Sequence, residues 1–149
     1  MDDPEDPIVV VQEFEAPISV VWEAITAPER MRGWYFDTIE EFRPEPGFEA
    51  RFNVHCEGTD FEHIWLVREV VPEQRLVHGW RYEGIPGDAT VRWELAETPT
   101  GTRLTFTEKF REPFPDGPLF SREVAEQGWD YFVRQTLKAY VEEGRLTNA

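Results

Sequence analysis

Gly128-Trp129-Asp130-Tyr131-Phe132-Val133 opens the apolar face of a long helix near the end of the chain. Near the start, Ala16-Pro17-Ile18-Ser19-Val20-Val21-Trp22-Glu23-Ala24-Ile25 forms a short amphipathic helix, and only strand-like segments lie between the two. That order decides the fold. One long helix accompanied by a run of antiparallel strands must bury its stripe in the concavity of a single curved sheet, and such packing leaves a hollow between the layers.

Outward from the last helix, Ala125, Trp129, Phe132, Val133, Thr136, Leu137, Tyr140 and Val141 make up its apolar stripe. Ser121 reads as the N-cap, Glu123 as an acid in the first turn and Gly144 as the stop. Roughly 22 residues at about 1.5 Å each give a rod near 33 Å, enough to cross a sheet. Gly128 inside it costs up to about 1 kcal/mol relative to alanine and reads either as room for a strand or Trp22 to approach or as a tolerated glycine. At the other end, Ile8–Phe14 is a β-branched strand and Pro17 marks a helix start. Ile18, Val21, Trp22 and Ile25 then share one helical face. Pro28-Glu29-Arg30-Met31-Arg32-Gly33 reads as a second short helix ending at Gly33, and Trp34-Tyr35-Phe36 as an aromatic hinge into the sheet.

Between residues 38 and 111 the period is two. Turns at Pro44-Glu45-Pro46-Gly47, Glu57-Gly58-Thr59-Asp60, Pro72-Glu73-Gln74, Gly84-Ile85-Pro86-Gly87-Asp88 and Thr98-Pro99-Thr100-Gly101 leave room for six strands, seven with the first. Phe48, Ala50, Phe52, Val54 and Cys56 alternate with polar residues, as do Val91, Trp93 and Leu95, and Leu104 with Phe106. Leu76, His78, Trp80 and Tyr82 share a face. In 61–71 two sets compete for the inside, and Phe61, His63, Trp65 and Val67 are preferred over Ile64, Leu66 and Val70. Short turns imply antiparallel pairing. The expected fold class is therefore α+β, with a seven-stranded antiparallel sheet around a long C-terminal helix and two short helices after the first strand. The 149 residues fit one domain with its core at about 8–143.

Charge narrows the partners. With 30 Asp+Glu against 15 Lys+Arg the net charge is -15, which disfavours nucleic acid and anionic membranes, whose binding rests on Lys and Arg neutralising phosphate. No apolar run reaches the roughly 18 residues of a membrane span. The start Met1-Asp2-Asp3-Pro4-Glu5-Asp6-Pro7 is the opposite of a signal peptide, so a cytoplasmic protein is expected. Cys56 is the only cysteine, which leaves neither a disulfide nor a thiolate cluster, and it reads as buried filler.

The chain carries no zinc-helix, phosphate-loop or nucleophile-elbow motif, and no cofactor or metal is expected. His55, His63 and His78 fall on three strands, but His55 is on the wet face and a metal site would need acidic companions pointing the same way. Asp60 and Glu62 share a face near a turn and read as solvated. His78, in register with Trp80 and Tyr82, is the one weak catalytic candidate: a neutral imidazole can orient a ligand oxygen or move a proton, although a hydrogen-bonded core histidine has the same signature. Glu69 and Glu108 join it if they point inward, where burial raises a carboxyl pKa. The expected ligand-binding residues are Trp34, Phe52, His63, Trp65, His78, Trp80, Trp93, Phe106, Trp129, Phe132 and Val133, some lining a pocket and the rest filling the core.

The spacing of Ala16-Pro17 with Val21-Trp22, Pro28 and Trp34, then Pro72-Glu73-x-Arg75-Leu76-Val77-x-x-Trp80, Gly101-Thr102-Arg103-Leu104-Thr105 and Gly128-Trp129 resembles the bacterial homologues of the activator of the heat-shock protein 90 ATPase, within the START-like (SRPBCC, Bet v allergen-like) superfamily. The resemblance runs over about residues 8–143. It implies the helix-grip fold with a cavity between sheet and helix, and as function the binding of an apolar, aromatic or lipid-like small molecule. It equally admits a polyketide cyclase or aromatase-like enzyme and a co-chaperone-like module with a chaperone partner, because fold alone does not fix activity.

Overall fold

The computed structural model describes residues 7–117 and 119–147. The acidic start at 1–6, Pro118 in the loop before the last helix, and residues 148–149 lie outside them. Strand β1 (Ile8–Phe14) buries Ile8, Val10 and Phe14 and turns Val9 and Val11 to water, the alternation its β-branched sequence implies. After Pro17 come helices α1 (Ile18–Thr26) and α2 (Pro28–Trp34), and α1 buries Val21, Ala24 and Ile25. Five strands follow as a meander: β2 (Glu49–Cys56), β3 (Thr59–Val71), β4 (Arg75–Tyr82), β5 (Ile85–Thr98) and β6 (Gly101–Glu112). The sheet order is β1-β6-β5-β4-β3-β2, every pairing antiparallel.

The sheet has six strands, not seven. The expected strand at 38–43 is irregular chain because its apolar residues are three apart rather than two: Ile39 and Phe42 are buried while Glu40 and Glu41 between them are exposed. The Ile39 carbonyl accepts from Arg32 Nη1 at 2.7 Å, so it is spent on α2 instead of a neighbouring strand. In β3 the preferred set does point inward, with Trp65 at 0% exposure and His63 at 5%. Register shifts at Val67/Glu69, Trp80/Tyr82 and Asp88/Ala89 are bulges that bend these long strands and curl the sheet.

The C-terminal helix crosses the concave face as three consecutive pieces: α3 (Arg122–Trp129), a π-helical segment (Asp130–Leu137) and α4 (Lys138–Thr147). Ser121 caps it as expected, accepting from Val124 N at 3.2 Å. Trp129, Val133, Leu137 and Val141 are all buried and all four apart. A step of four overshoots the 3.6-residue α turn and undershoots the wider π turn, so alternating the two keeps the stripe against the sheet. Gly144 does not stop the helix, which runs to Thr147; a helix-interior glycine costs only about 1 kcal/mol, too little to break the backbone ladder alone. Gly33 likewise lies inside α2, where a Cβ would meet the Tyr140 ring at 2.6 Å, so its glycine serves contact with the last helix and not termination. Cys56 is exposed rather than buried, because the inward row of β2 grows more exposed from Phe52 through Val54 to the strand end.

No helix among the described residues is long and apolar enough to cross a membrane.

Candidate functional site

The hollow is only half empty. The hinge Trp34-Tyr35-Phe36 drives a stack of rings into it, Trp34 on Tyr35 at 4.5 Å and Tyr35 on Phe36 at 4.6 Å between centroids. Tyr35 then touches Trp65, Trp93 and Phe132 together, bridging sheet and helix. The space that remains lies beyond Phe36, between β2, β3, β4 and β6 on one side and α3 with Phe114, Leu119 and Phe120 of the preceding loop on the other. It forms two adjoining lobes of about 180 Å³ and about 190 Å³, both reaching His63, Tyr82, Phe120 and Val124. A cavity of about 150 Å³ suffices for a benzene ring, so each lobe has room for a small aromatic.

Of the sequence-predicted residues, His63, Trp80, Trp129 and Phe132 line the first lobe. Trp34, Phe52, Trp65, Trp93, Phe106 and Val133 pack in the core around it. His78 is also in the core, 1% exposed and away from both lobes. Its Nδ1–H donates to the Gly79 carbonyl at 2.9 Å and its Nε2 faces the Trp93 indole N–H at 3.4 Å, so both nitrogens are occupied within the protein. Burial lowers its pKa to about 4. His63 is held in the same neutral state by burial, its pKa also about 4, with Nδ1 bonded to the Phe61 carbonyl at 3.0 Å.

Two carboxylates were open on register. Glu69 is at the surface, paired with Arg75 at 2.8 Å. Glu108 is inward, 4% exposed and part of the cavity wall, and its Oε1 accepts from the Trp129 indole N–H at 2.8 Å. Burial pushes its pKa up to about 7, with the indole bond opposing. Nearby, the Tyr35 hydroxyl is buried without a hydrogen-bond partner, and its pKa is raised first by that burial and then by the Glu108 charge. Burial likewise raises Tyr82 to about 12, so both phenols stay neutral. His55 pairs with Asp60 at 2.8 Å in solvent, and no group of three His, Cys, Asp or Glu among the described residues could hold a metal.

The wall that sequence reasoning missed is Phe110, Phe114, Leu119 and Phe120, from the end of β6 and the loop after it. The available signal was aromatic residues inside a proline-rich turn segment, which a solvated loop has no reason to carry. The loop is seated on Gly87, whose φ is +121°; a Cβ there would run into the Phe114 ring and stand 2.9 Å from its Cα. Gly87→Ala is therefore expected to lose about 1–3 kcal/mol of stability and lift Phe114 off the cavity. Thermal unfolding of the variant checks it, and an unchanged melting temperature would contradict this seating. A larger depression of about 580 Å³, floored by β5 and β6 on the outer face, is walled by solvated side chains such as Arg92, Lys109 and Arg111 and has no aromatic lining.

The family described as "Activator of Hsp90 ATPase homolog 1-like protein" matches residues 15–142. Among solved structures, a protein from Chromobacterium violaceum superposes with a TM-score of 0.79 at 22% identity over 94% of this chain and 99% of that one, a likeness of fold. DynU16, a protein of the dynemicin biosynthetic locus, is 30% identical with a TM-score of 0.73 over 95% of this chain and 49% of its own, so the chain spans about half of DynU16. CalU16 from Micromonospora echinospora is 25% identical with a TM-score of 0.63, over 91% of this chain and 73% of that one. Among curated proteins none matches.

Proposed function

Because the chain belongs to the Activator of Hsp90 ATPase homolog 1-like family, whose helix-grip architecture it has, we propose that it is a single-domain cytoplasmic protein that binds an apolar, aromatic or lipid-like small molecule in the two-lobed cavity beside Trp129. The observation that carries this reading is the cavity itself: aromatic walls from sheet, helix and loop meet around open space instead of interdigitating. An unpaired, exposed Cys56 suits a reducing compartment. Among the described residues the exposed large apolar side chains are spread over three elements, Val9 and Val11 on β1, Leu66 on β3, and Val124 and Tyr131 on the last helix, which favours the cavity over a chaperone-type contact face.

Gly128 supplies the test. It lines the first lobe, and a Cβ there meets nothing within 4 Å, so neither a strand nor Trp22 needs the glycine. Gly128→Leu should fill the lobe while adding helix propensity of up to about 1 kcal/mol. Titration with the neutral fluorophore N-phenyl-1-naphthylamine should show binding to the wild type and about tenfold or weaker binding to the variant, with melting temperature equal or higher. Equal affinity for both proteins would place the guest elsewhere.

The 30% identity to a protein of a biosynthetic locus favours one second reading, a polyketide cyclase-like enzyme that turns its guest over in the same cavity. Within that reading Glu108 is the wall group able to exchange a proton near neutral pH.

A further inference from the structure

Resting on the reading that the two-lobed cavity binds a small molecule, we propose that its guest is a hydrophobic cation, an aromatic or alkyl ammonium, whose charge is held against the Glu108 carboxylate inside a ring of aromatic faces. Three observations carry this.

Glu108 lines the first lobe, and among the described residues neither lobe is lined by a lysine or arginine. A carboxylate-bearing guest such as a fatty acid would meet the Glu108 carboxyl and, among the described lining residues, no cationic side chain to pair with. A neutral guest would leave Glu108 as it stands, a carboxyl with one indole donor on Oε1 and, among the described residues, no donor to its other oxygen. A cation supplies the missing partner. The cost of burying a carboxyl with a single donor is then offset in part by the guest.

The rings around the carboxyl are those suited to a cation. Trp129 bonds it, and Trp80 and Phe132 stand 5.3 and 6.2 Å from Trp129 between centroids. Phe36 closes the inner end at 6.1 Å from Trp80, with Tyr82 and Phe110 also on the wall. Aromatic faces attract ammonium groups through their quadrupoles, more strongly when water is excluded. Among the described residues no other charged side chain lines the lobes. Against Glu108 stand Ile8 of β1 and Val91 of β5 across the ladder, neutral Tyr35 from the hinge, neutral Tyr82 from β4 and Trp129 from the helix, and neutral His63 of β3 shares the wall of the same lobe. The net charge of -15 adds a long-range field that draws cations toward the protein.

The carboxyl also changes state on binding. Near pH 7 it sits between its protonated and ionised forms, so an arriving ammonium favours the ionised one and expels a fraction of a proton.

The experiment uses three probes of one shape on the full chain: 1-naphthylmethylammonium, 1-naphthalenemethanol and 1-naphthoate, titrated at pH 7 and low ionic strength by tryptophan fluorescence and calorimetry. The expected order is ammonium tightest, by about tenfold over the alcohol, and naphthoate weakest. Glu108→Gln, nearly isosteric and without a charge to bury, should erase the preference for the ammonium over the alcohol. Calorimetry of the ammonium in two buffers of different ionisation heat should show proton release from the wild type and none from Glu108→Gln. If the alcohol binds as tightly as the ammonium to the wild type, or the variant keeps the preference, the inference falls and the cavity reading stands. If none of the three binds, the cavity reading falls and the inference with it.

Discussion

Trp129→Ala is expected to cost about 3–5 kcal/mol of stability, the range for deleting a large buried aromatic, out of a total that for a domain of this kind is about 5–15 kcal/mol. Trp129 is 5% exposed where the helix first meets the sheet, its ring 4.1 Å from that of Phe106 and 5.3 Å from that of Trp80 between centroids. Its removal opens the cavity into the core and takes from Glu108 the N–H that holds its Oε1. Trp129→Phe separates the two effects. It keeps most of the packing, so stability should fall much less, while Glu108, deprived of the one interaction that lowers its pKa, should titrate higher still. Urea unfolding with a common slope for all three proteins measures the first effect. A loss below about 1 kcal/mol for Trp129→Ala would mean that the ring is not wedged between the layers.

Acid should unfold this protein earlier than its many surface carboxylates alone would require. His63 and His78 are held neutral with pKa values of about 4, against 6.5 when exposed, so below pH 6.5 the unfolded chain takes up protons that the folded one refuses. Stability from this pair is complete above pH 6.5 and is lost as pH falls toward 4. Glu108 acts with the opposite sign. Raised to about 7, it binds a proton in the folded state that the unfolded chain has shed above about 4.5, so its contribution declines as pH rises from 4.5 to 7 and is flat beyond. Between about pH 4.5 and 6.5 the two histidines outweigh the one carboxyl by about one proton, so stability should fall by about 1 kcal/mol per pH unit on acidification. Glu108→Gln removes the opposing group. It should steepen that fall to about twice the slope and leave the variant more stable than the wild type at pH 8. Unfolding free energies at pH 5, 6, 7 and 8 decide the matter, and a flat profile from 5 to 7 would show that these histidines are hydrated.

What could be read in advance follows from which interactions are local. Strict alternation in β5 and β6 and proline or glycine at the turns announce strands directly, because a side chain's face depends only on its parity along the strand. Ser121 as N-cap needs nothing beyond its own turn. The segment at 38–43 was misread because the bond from Arg32 to the Ile39 carbonyl, made across a turn of chain, replaces a ladder that composition alone would allow. Gly33 was misread for a related reason, since glycine at a helix end and glycine under a neighbour's ring look alike until the neighbour is in place, and Gly144 because a single glycine costs a helix too little to end it. In the site, His63, Trp80, Trp129 and Phe132 were visible as inward or stripe positions. The other half of the wall is contributed by a loop, and which of the inward aromatics reach open space depends on where the Tyr35 ring comes to rest. Neither is encoded in the period of any one element.

That resting place bears on how such a protein diversifies. Trp34, Tyr35 and Phe36 belong to neither the sheet nor the long helix, yet their stacked rings occupy the volume that a larger guest would need. The plug is anchored from behind, through the Trp34 indole N–H on the Ala24 carbonyl at 2.8 Å. Chamber capacity is thus governed by a stopper that lies outside both layers, so exchanging one of its rings for a small side chain would admit bulkier molecules at a cost in stability, since Tyr35 also joins sheet to helix.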